Sequence, residues 1–154
     1  MSESVILSTT VDKIETLEGA TFGPSSWHVI GQDDIDLFAG LTGDDNPIHV
    51  DADVAAKSPY GTRIAHGLLT LSSVVPMMRE VFSVTGASMG INYGLNRVRF
   101  PAAVPAGARI RIHGQVTEVT EISGGWQLVA SVTYEVEGGE KPACVAEFVL
   151  RYYA

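Results

Sequence analysis

Residues 65–82 constrain this chain more than any other stretch, because they are apolar on nearly every side of a helix. Leu68, Leu71, Val75, Met78 and Phe82 fall on one helical stripe, and Leu69, Val74, Met77 and Val81 cover most of the rest. A helix built this way belongs in the middle of a domain. Pro76 lies inside it and leaves the Ser72 carbonyl short of a donor, so the stretch predicts a buried helix with a kink. What could enclose it follows directly. The runs 91–100, 108–121, 126–137 and 143–153 read as strands, with Ile110/Ile112, Leu128/Ala130/Val132/Tyr134/Val136 and Cys144/Ala146/Phe148/Leu150/Tyr152 in period-two alternation. Ser123-Gly124-Gly125 and Glu137-Gly138-Gly139-Glu140 are hairpin turn sequences. A slip in apolar phase between Ile112 and Val119 predicts a bulge. The expected fold is α+β, a single domain over 1–154 in which an antiparallel sheet wraps one long central helix. An edge strand of such a sheet is commonly buried by a second copy, which points to a dimer.

The N-terminal half reads as short elements. The spacing of Val11, Ile14 and Leu17 predicts a helical turn or two, and Trp27 and Val29 suggest a short strand. Asp33 is the expected N-cap of a helix through about Leu41, with Ile35, Leu37, Phe38 and Leu41 as its apolar face and Gly43 as its end. That helix delivers the chain into Thr42-Gly43-Asp44-Asp45-Asn46-Pro47-Ile48-His49, followed by a brief helix over 53–57 and a loop at Ser58-Pro59-Tyr60-Gly61. A carboxylate at Asp44 and an imidazole at His49 flank an Asn-Pro pair that forbids a continuous helix, so a turn can bring them to one place as acid and base. The same residues are also ordinary turn formers, and His49 can simply pack under a loop. A second stretch, Ile64-Ala65-His66-Gly67-Leu68-Leu69-Thr70, opens the buried helix. Gly67 would sit where unpaired N–H groups favour negative charge, while His66 reads as a packing or capping residue.

Composition closes off other classes. With 154 residues, 45% hydrophobic and 18% charged, this is an ordinary globular chain. A net charge of -8 argues against nucleic acid and anionic membrane as main partners, and makes an acidic carrier protein a less natural partner than a small anionic ligand met by a local basic patch. The one cysteine, Cys144, lies in a strand-like run and reads as an inert buried thiol. No His/Cys/Asp grouping has zinc-ligand spacing and no glycine-rich phosphate loop follows a strand, so neither metal nor nucleotide cofactor is expected. Glu3, Asp12, Lys13 and Glu15 interrupt the first twenty residues, and no apolar run is long enough to span a bilayer. A cytoplasmic location is the expectation.

The segment 38–49, with Ala55 beyond it, resembles the signature of the MaoC-like (R)-specific enoyl-CoA hydratases, agreeing at Gly43, Asp44, Asn46, Pro47 and His49. Residues 64–69 resemble the family's second block, and 91–101 are similar to a subgroup with short mycobacterial-type hydratases and the nodulation N proteins. The resemblance implies a hot-dog fold, a homodimer and hydration of trans-2-enoyl thioesters to (3R)-hydroxyacyl thioesters. It carries the acid–base pair onto Asp44 and His49, a supporting amide onto Asn46 and an oxyanion donor onto the Gly67 N–H. Some members of the nodulation subgroup lack the Asn-Pro pair, which this chain keeps. The substrate expected is an acyl-CoA thioester, with an acyl-carrier-protein thioester open, held near Arg63, Ile64, Ala65 and Leu68. Lys57, Arg79, Arg97 and Arg99 are further cations for its phosphates. Apolar residues of the central helix and of the Ile35 to Leu41 helix should line an acyl tunnel. Thioester hydrolysis on the same scaffold, and a non-catalytic acyl-thioester binder of the nodulation N type, are the competing readings.

Overall fold

The computed structural model describes residues 4–154; Glu3, one of the charges weighed against a leader peptide, lies outside them. The chain runs β1 (Leu7–Thr10), a 3-10 helix (Val11–Leu17), β2 (Thr21–Phe22) and β3 (His28–Val29). Then come α1 (Gln32–Thr42), α2 (Pro47–Val50), α3 (Ala52–Ala56), α4 (Gly67–Ser72) and α5 (Val74–Val81). It ends with β4 (Phe82–Thr85), β5 (Met89–Arg99), β6 (Arg109–Ile122), β7 (Gly125–Val136) and β8 (Cys144–Tyr153). A six-stranded sheet has the order β2-β6-β7-β8-β5, with β3 also paired to β6. Its ladders are antiparallel, and β1 and β4 form a separate parallel pair that the sequence did not suggest.

The expected bulge is in β6, where the register to β7 shifts between Val116 and Glu118. Inward positions Ile110, Ile112, Val116, Leu128, Ala130, Val132, Tyr134 and Cys144 are fully buried, as alternation requires. Gly114 shares that face, opposite Phe22, and a Cβ there would lie 2.6 Å from the Phe22 ring. The missing side chain is therefore filled by an aromatic from the neighbouring strand. Burial pushes the Cys144 thiol up to about 12, in keeping with an inert role.

The central helix is not continuous. It starts at Gly67 rather than Ala65, ends at Val81 rather than Phe82, and is interrupted at Ser73. The break resolves the Pro76 problem: Pro76 becomes the third residue of α5, where an amide would have no intrahelical partner anyway. Ser73 stitches the junction, its N–H donating to the Leu69 carbonyl at 3.1 Å and its Oγ to the Thr70 carbonyl at 2.7 Å. Leu71, Val74, Met77 and Val81 form the face against the sheet, whereas Leu68 is 60% exposed. Of the expected stripe, Leu71 and Phe82 are buried, while Leu68 and Val75 face outward. α1 differs too. Gly31 is its N-cap instead of Asp33, its N–H donating to Asp34 Oδ2 at 3.1 Å, and Leu37 and Leu41 are exposed while Ile35 and Ala39 are buried. Among the described residues no helix is long and apolar enough to cross a membrane.

The helix pair is tied to the sheet by one buried polar contact, Tyr134 Oη donating to the Leu71 carbonyl at 2.9 Å. Removing a neutral hydrogen bond of this kind costs about 1 kcal/mol. Tyr134→Phe should therefore lower the midpoint of thermal unfolding by roughly 2–4 °C. Calorimetry checks this, and an unchanged midpoint would mean that the hydroxyl does not anchor the helix.

Candidate active site

Two short segments converge on one spot. Gly43 ends α1 at a φ of 76°, its N–H closing on the Ala39 carbonyl at 2.9 Å, and so turns the chain out of the helix. α2 begins at Pro47, whose fixed φ suits a first helical position, and Asn46 caps it, Oδ1 accepting the Ile48 N–H at 3.2 Å. His49 is buried at the end of that single turn. Its Nδ1 lies 2.7 Å from the Ile64 carbonyl. A carbonyl only accepts, so Nδ1 carries a proton, which in the neutral ring puts the lone pair on Nε2. Gln32 Nε2 donates to the His49 carbonyl at 2.8 Å and to Asp36 Oδ1 at 2.7 Å, which fixes the backbone behind the ring.

The second segment packs from the other side. The Ile64 N–H donates to the Ile48 carbonyl at 3.2 Å and the Ala65 N–H to the Val104 carbonyl at 2.8 Å. His66 occupies the N-cap position of α4, but its side chain does not cap the helix. Nε2–H instead donates to the backbone carbonyl of Asp44 at 2.8 Å. The ring stacks on His49 with centroids 3.9 Å apart and an interplanar angle of 28°, and Phe38 lies against it at 4.9 Å. His66 Nδ1 is buried without a partner, as is Gln32 Oε1.

The turn therefore does bring its two chemical groups together. A carboxylate oxygen of Asp44 and one ring nitrogen each of His49 and His66 all lie within 4.8 Å of one another. One water bridging by two ordinary hydrogen bonds spans a gap of up to about 5.5 Å. Distance alone would also admit a metal ion. Imidazole lone pairs lie in the ring plane, however, and two planes stacked this closely meet far outside the ~2 Å reach of a metal–nitrogen bond. The geometry suits shared water better than shared metal.

His49 and Gly67 line a cavity of about 180 Å³ together with Tyr60, Ile64, Ala65, Thr70 and Phe100. A Cβ at Gly67 would stand 2.9 Å from the Phe100 ring, so only glycine leaves both the ring and the N–H accessible as they are. As first residue of α4, Gly67 has no intrahelical acceptor for its N–H. Asp44 and Asn46 are exposed beside this cavity and do not line it. Arg63 is half-buried outside it and makes no ion pair among the described residues. Leu68 points away from the cavity, and no α1 residue lines it, so the expected contribution of the Ile35 to Leu41 helix to an acyl tunnel is not seen there. Arg79 borders a separate cavity of about 310 Å³ between α5, β5 and β8. Nothing in the sequence singles out Gln32; His66 packs, as expected of it, but does not cap the helix, and only its adjacency to Gly67 hints at a place in the site.

The model of the MaoC like domain matches residues 13–138. The 3-hydroxyacyl-thioester dehydratase Z of Mycobacterium tuberculosis (strain ATCC 25618 / H37Rv) is 47% identical over 137 residues, covering 88% of this chain and 91% of that protein. The chain belongs to the MaoC-like family. Nodulation protein N of Rhizobium leguminosarum bv. viciae is similar to this MaoC-like chain at 40% identity over 141 residues, covering 85% of this chain and 83% of that protein. The X-ray structure of a monoamine oxidase regulatory protein from Archaeoglobus fulgius superposes with a TM-score of 0.79 at 22% identity, over 97% of this chain and 98% of that one. The shared fold is the hot-dog, with the α4–α5 pair held against the antiparallel sheet.

Asn46 makes a specific structural demand on this MaoC-like turn. Asn46→Ala should cost about 1 kcal/mol through loss of the cap, and Asn46→Asp, which keeps the accepting oxygen, a few tenths at most. Urea unfolding of the two variants checks the difference. Equal losses would show that the amide nitrogen, not the capping oxygen, matters.

Proposed function

We propose that this chain is a hydro-lyase that adds water to trans-2-enoyl-CoA, giving (3R)-hydroxyacyl-CoA, and runs the reverse dehydration. The observation that carries this reading is the convergence of Asp44 with a His49 ring whose Nε2 lone pair faces no backbone donor. His49 Nε2 takes a proton from the water, the water oxygen bonds to the β-carbon, and the π electrons of the double bond shift toward the thioester oxygen. The Gly67 N–H donates to that oxygen while enolate charge rests there. That proton, passed on from His49 through Asp44, then reaches the α-carbon, so both groups end as they began and the elements of one water are added in all. Asn46 acts at one remove, by capping the turn that holds Asp44 and His49 together. Ile64 and Ala65 form the wall beside the reacting carbons, and Arg63 is the nearest cation in sequence for the phosphates of CoA. The (R) outcome and the thioester substrate rest on the motif resemblance and on relatives named as dehydratases.

The test is direct. Purified protein should lower the conjugated-thioester absorbance of crotonyl-CoA or a longer trans-2-enoyl-CoA to an equilibrium value, and chiral analysis should find the 3R alcohol. Asp44→Asn and His49→Ala should each lower kcat by roughly 10²–10⁴-fold. Absence of turnover across short, medium and long chains overturns the reading, and release of free thiol would reassign the site to thioester hydrolysis.

The active unit in this reading is a homodimer paired through β5. Among the described residues that strand bonds only to β8, so one edge is open along its length. It carries large apolar side chains in the open, among them Tyr93 at 55% and Met89 at 50% exposure. An edge so long and apolar is an aggregation hazard unless covered. Sedimentation equilibrium should give twice the chain mass, and a proline at Leu95 should shift the protein toward monomer or aggregate. A wild-type monomer at micromolar concentration would rule the pairing out.

A further inference from the structure

The geometry points to His66 as a positioning residue for this site: held as the neutral Nε2–H tautomer, it sets the Asp44 backbone, and with it the carboxylate, against His49. The inference rests on the hydratase reading and extends it to a residue outside the acid–base pair. Asp44 is exposed, and within the turn it has only a weak local tether, its N–H meeting Thr42 Oγ1 at 3.3 Å. Among the described residues, the His66 bond to the Asp44 carbonyl, at 2.8 Å, is the one hydrogen bond that reaches Asp44 from outside the 42–49 turn. An exposed carboxylate with no such tether would sample many positions, and displacement of a reacting group by about 1 Å can cost on the order of 100-fold in rate.

Two further features argue against His66 as mere filler. It is 2% exposed, between Phe38 and His49, a place where an apolar side chain would pack without difficulty. An imidazole there leaves Nδ1 buried and unpaired, a destabilising arrangement that packing alone does not require. The stack on His49 also gives the neutral form a purpose. When His49 takes the proton of water, a cationic neighbour 3.9 Å away would oppose it, whereas a neutral ring does not.

Glutamine and asparagine separate the two nitrogens of the ring. His66→Gln places an amide N–H near the position of Nε2 and can still donate to the Asp44 carbonyl; His66→Asn places its amide near Nδ1 and cannot. His66→Leu removes both nitrogens and the unpaired one with them, so it should fold at least as stably as wild type. With crotonyl-CoA, or whichever enoyl-CoA the wild type turns over best, His66→Gln should keep most of kcat. His66→Asn and His66→Leu should fall by about 100-fold in kcat with KM little changed. Thermal midpoints at or above that of wild type in His66→Leu would separate the loss from unfolding. In the wild-type protein, long-range 1H–15N correlation of the imidazoles should show His66 protonated at Nε2 and His49 at Nδ1. An active His66→Leu variant, a His66→Gln variant as slow as His66→Leu, or a His66 ring protonated at Nδ1 overturns the inference. A wild type without hydratase activity would instead sink the reading on which it depends.

Discussion

The site is held closed by a reciprocal pair of hydrogen bonds. His49, on the turn segment, donates from Nδ1 to the Ile64 carbonyl on the segment leading into the central helix, and His66, on that second segment, donates from Nε2 to the Asp44 carbonyl on the first. Each segment thus presents one imidazole and one carbonyl to the other. α2 has four residues and α4 has six, lengths at which a helix has no stability of its own in water. Packing and the backbone bond between Ile64 and Ile48 hold them in place, and the two imidazole bonds set how the segments face each other. With each ring neutral, this reciprocal latch selects opposite tautomers in two stacked rings and leaves the lone pair of His49 on Nε2.

The sheet supplies the rigid side of the arrangement. β6, β7 and β8 bury their inner faces against the α4–α5 pair, and Tyr134 reaches from β7 to the Leu71 carbonyl. A second brace lies at the other end of α5. Glu80 receives the Ser26 N–H at 2.7 Å and meets His28 Nε2 at 2.5 Å, linking the helix to the segment around β3. Partial burial works to raise the Glu80 carboxyl, but these bonds outweigh it and hold it below its ordinary value. The interruption at Ser73 lets one proline-containing sequence keep a continuous apolar face on the sheet. Its buried positions Leu71, Val74, Met77 and Val81 carry on across the break.

Placement of the four long strands was legible to within a residue or two. Its signal is the period of two, and hairpin turns such as Gly124 and Gly138, both at positive φ, mark the ends independently of anything distant. The bulge at Val116/Glu118 could be read for the same reason, since a one-residue slip inverts the faces locally. β1 and β4 escaped notice because a four-residue strand carries too little alternation to stand out, and their parallel pairing joins residues more than seventy positions apart. The cap of α1 was misplaced because Asp33, Asp34 and the preceding Gly31 are all acceptable beginnings. Only the packed chain selects Gly31, with Asp34 reaching back to its amide.

For the site, sequence alone determined which groups are present and that a turn can bring Asp44 and His49 together, because the Asn46-Pro47 pair imposes that turn through local backbone sterics. It also determined that Gly67 opens a helix with a bare amide, again a local property. Tertiary structure decided the rest. That His66 belongs with the site, that Gln32 braces His49 and that Leu68 and Leu41 face outward depend on how segments 17 to 22 residues apart pack against one another. Side-chain nitrogens and carbonyls have no fixed partner in an unfolded chain. Which of them meet is settled only when the apolar faces of the helices and the sheet close and exclude the water that would otherwise satisfy them.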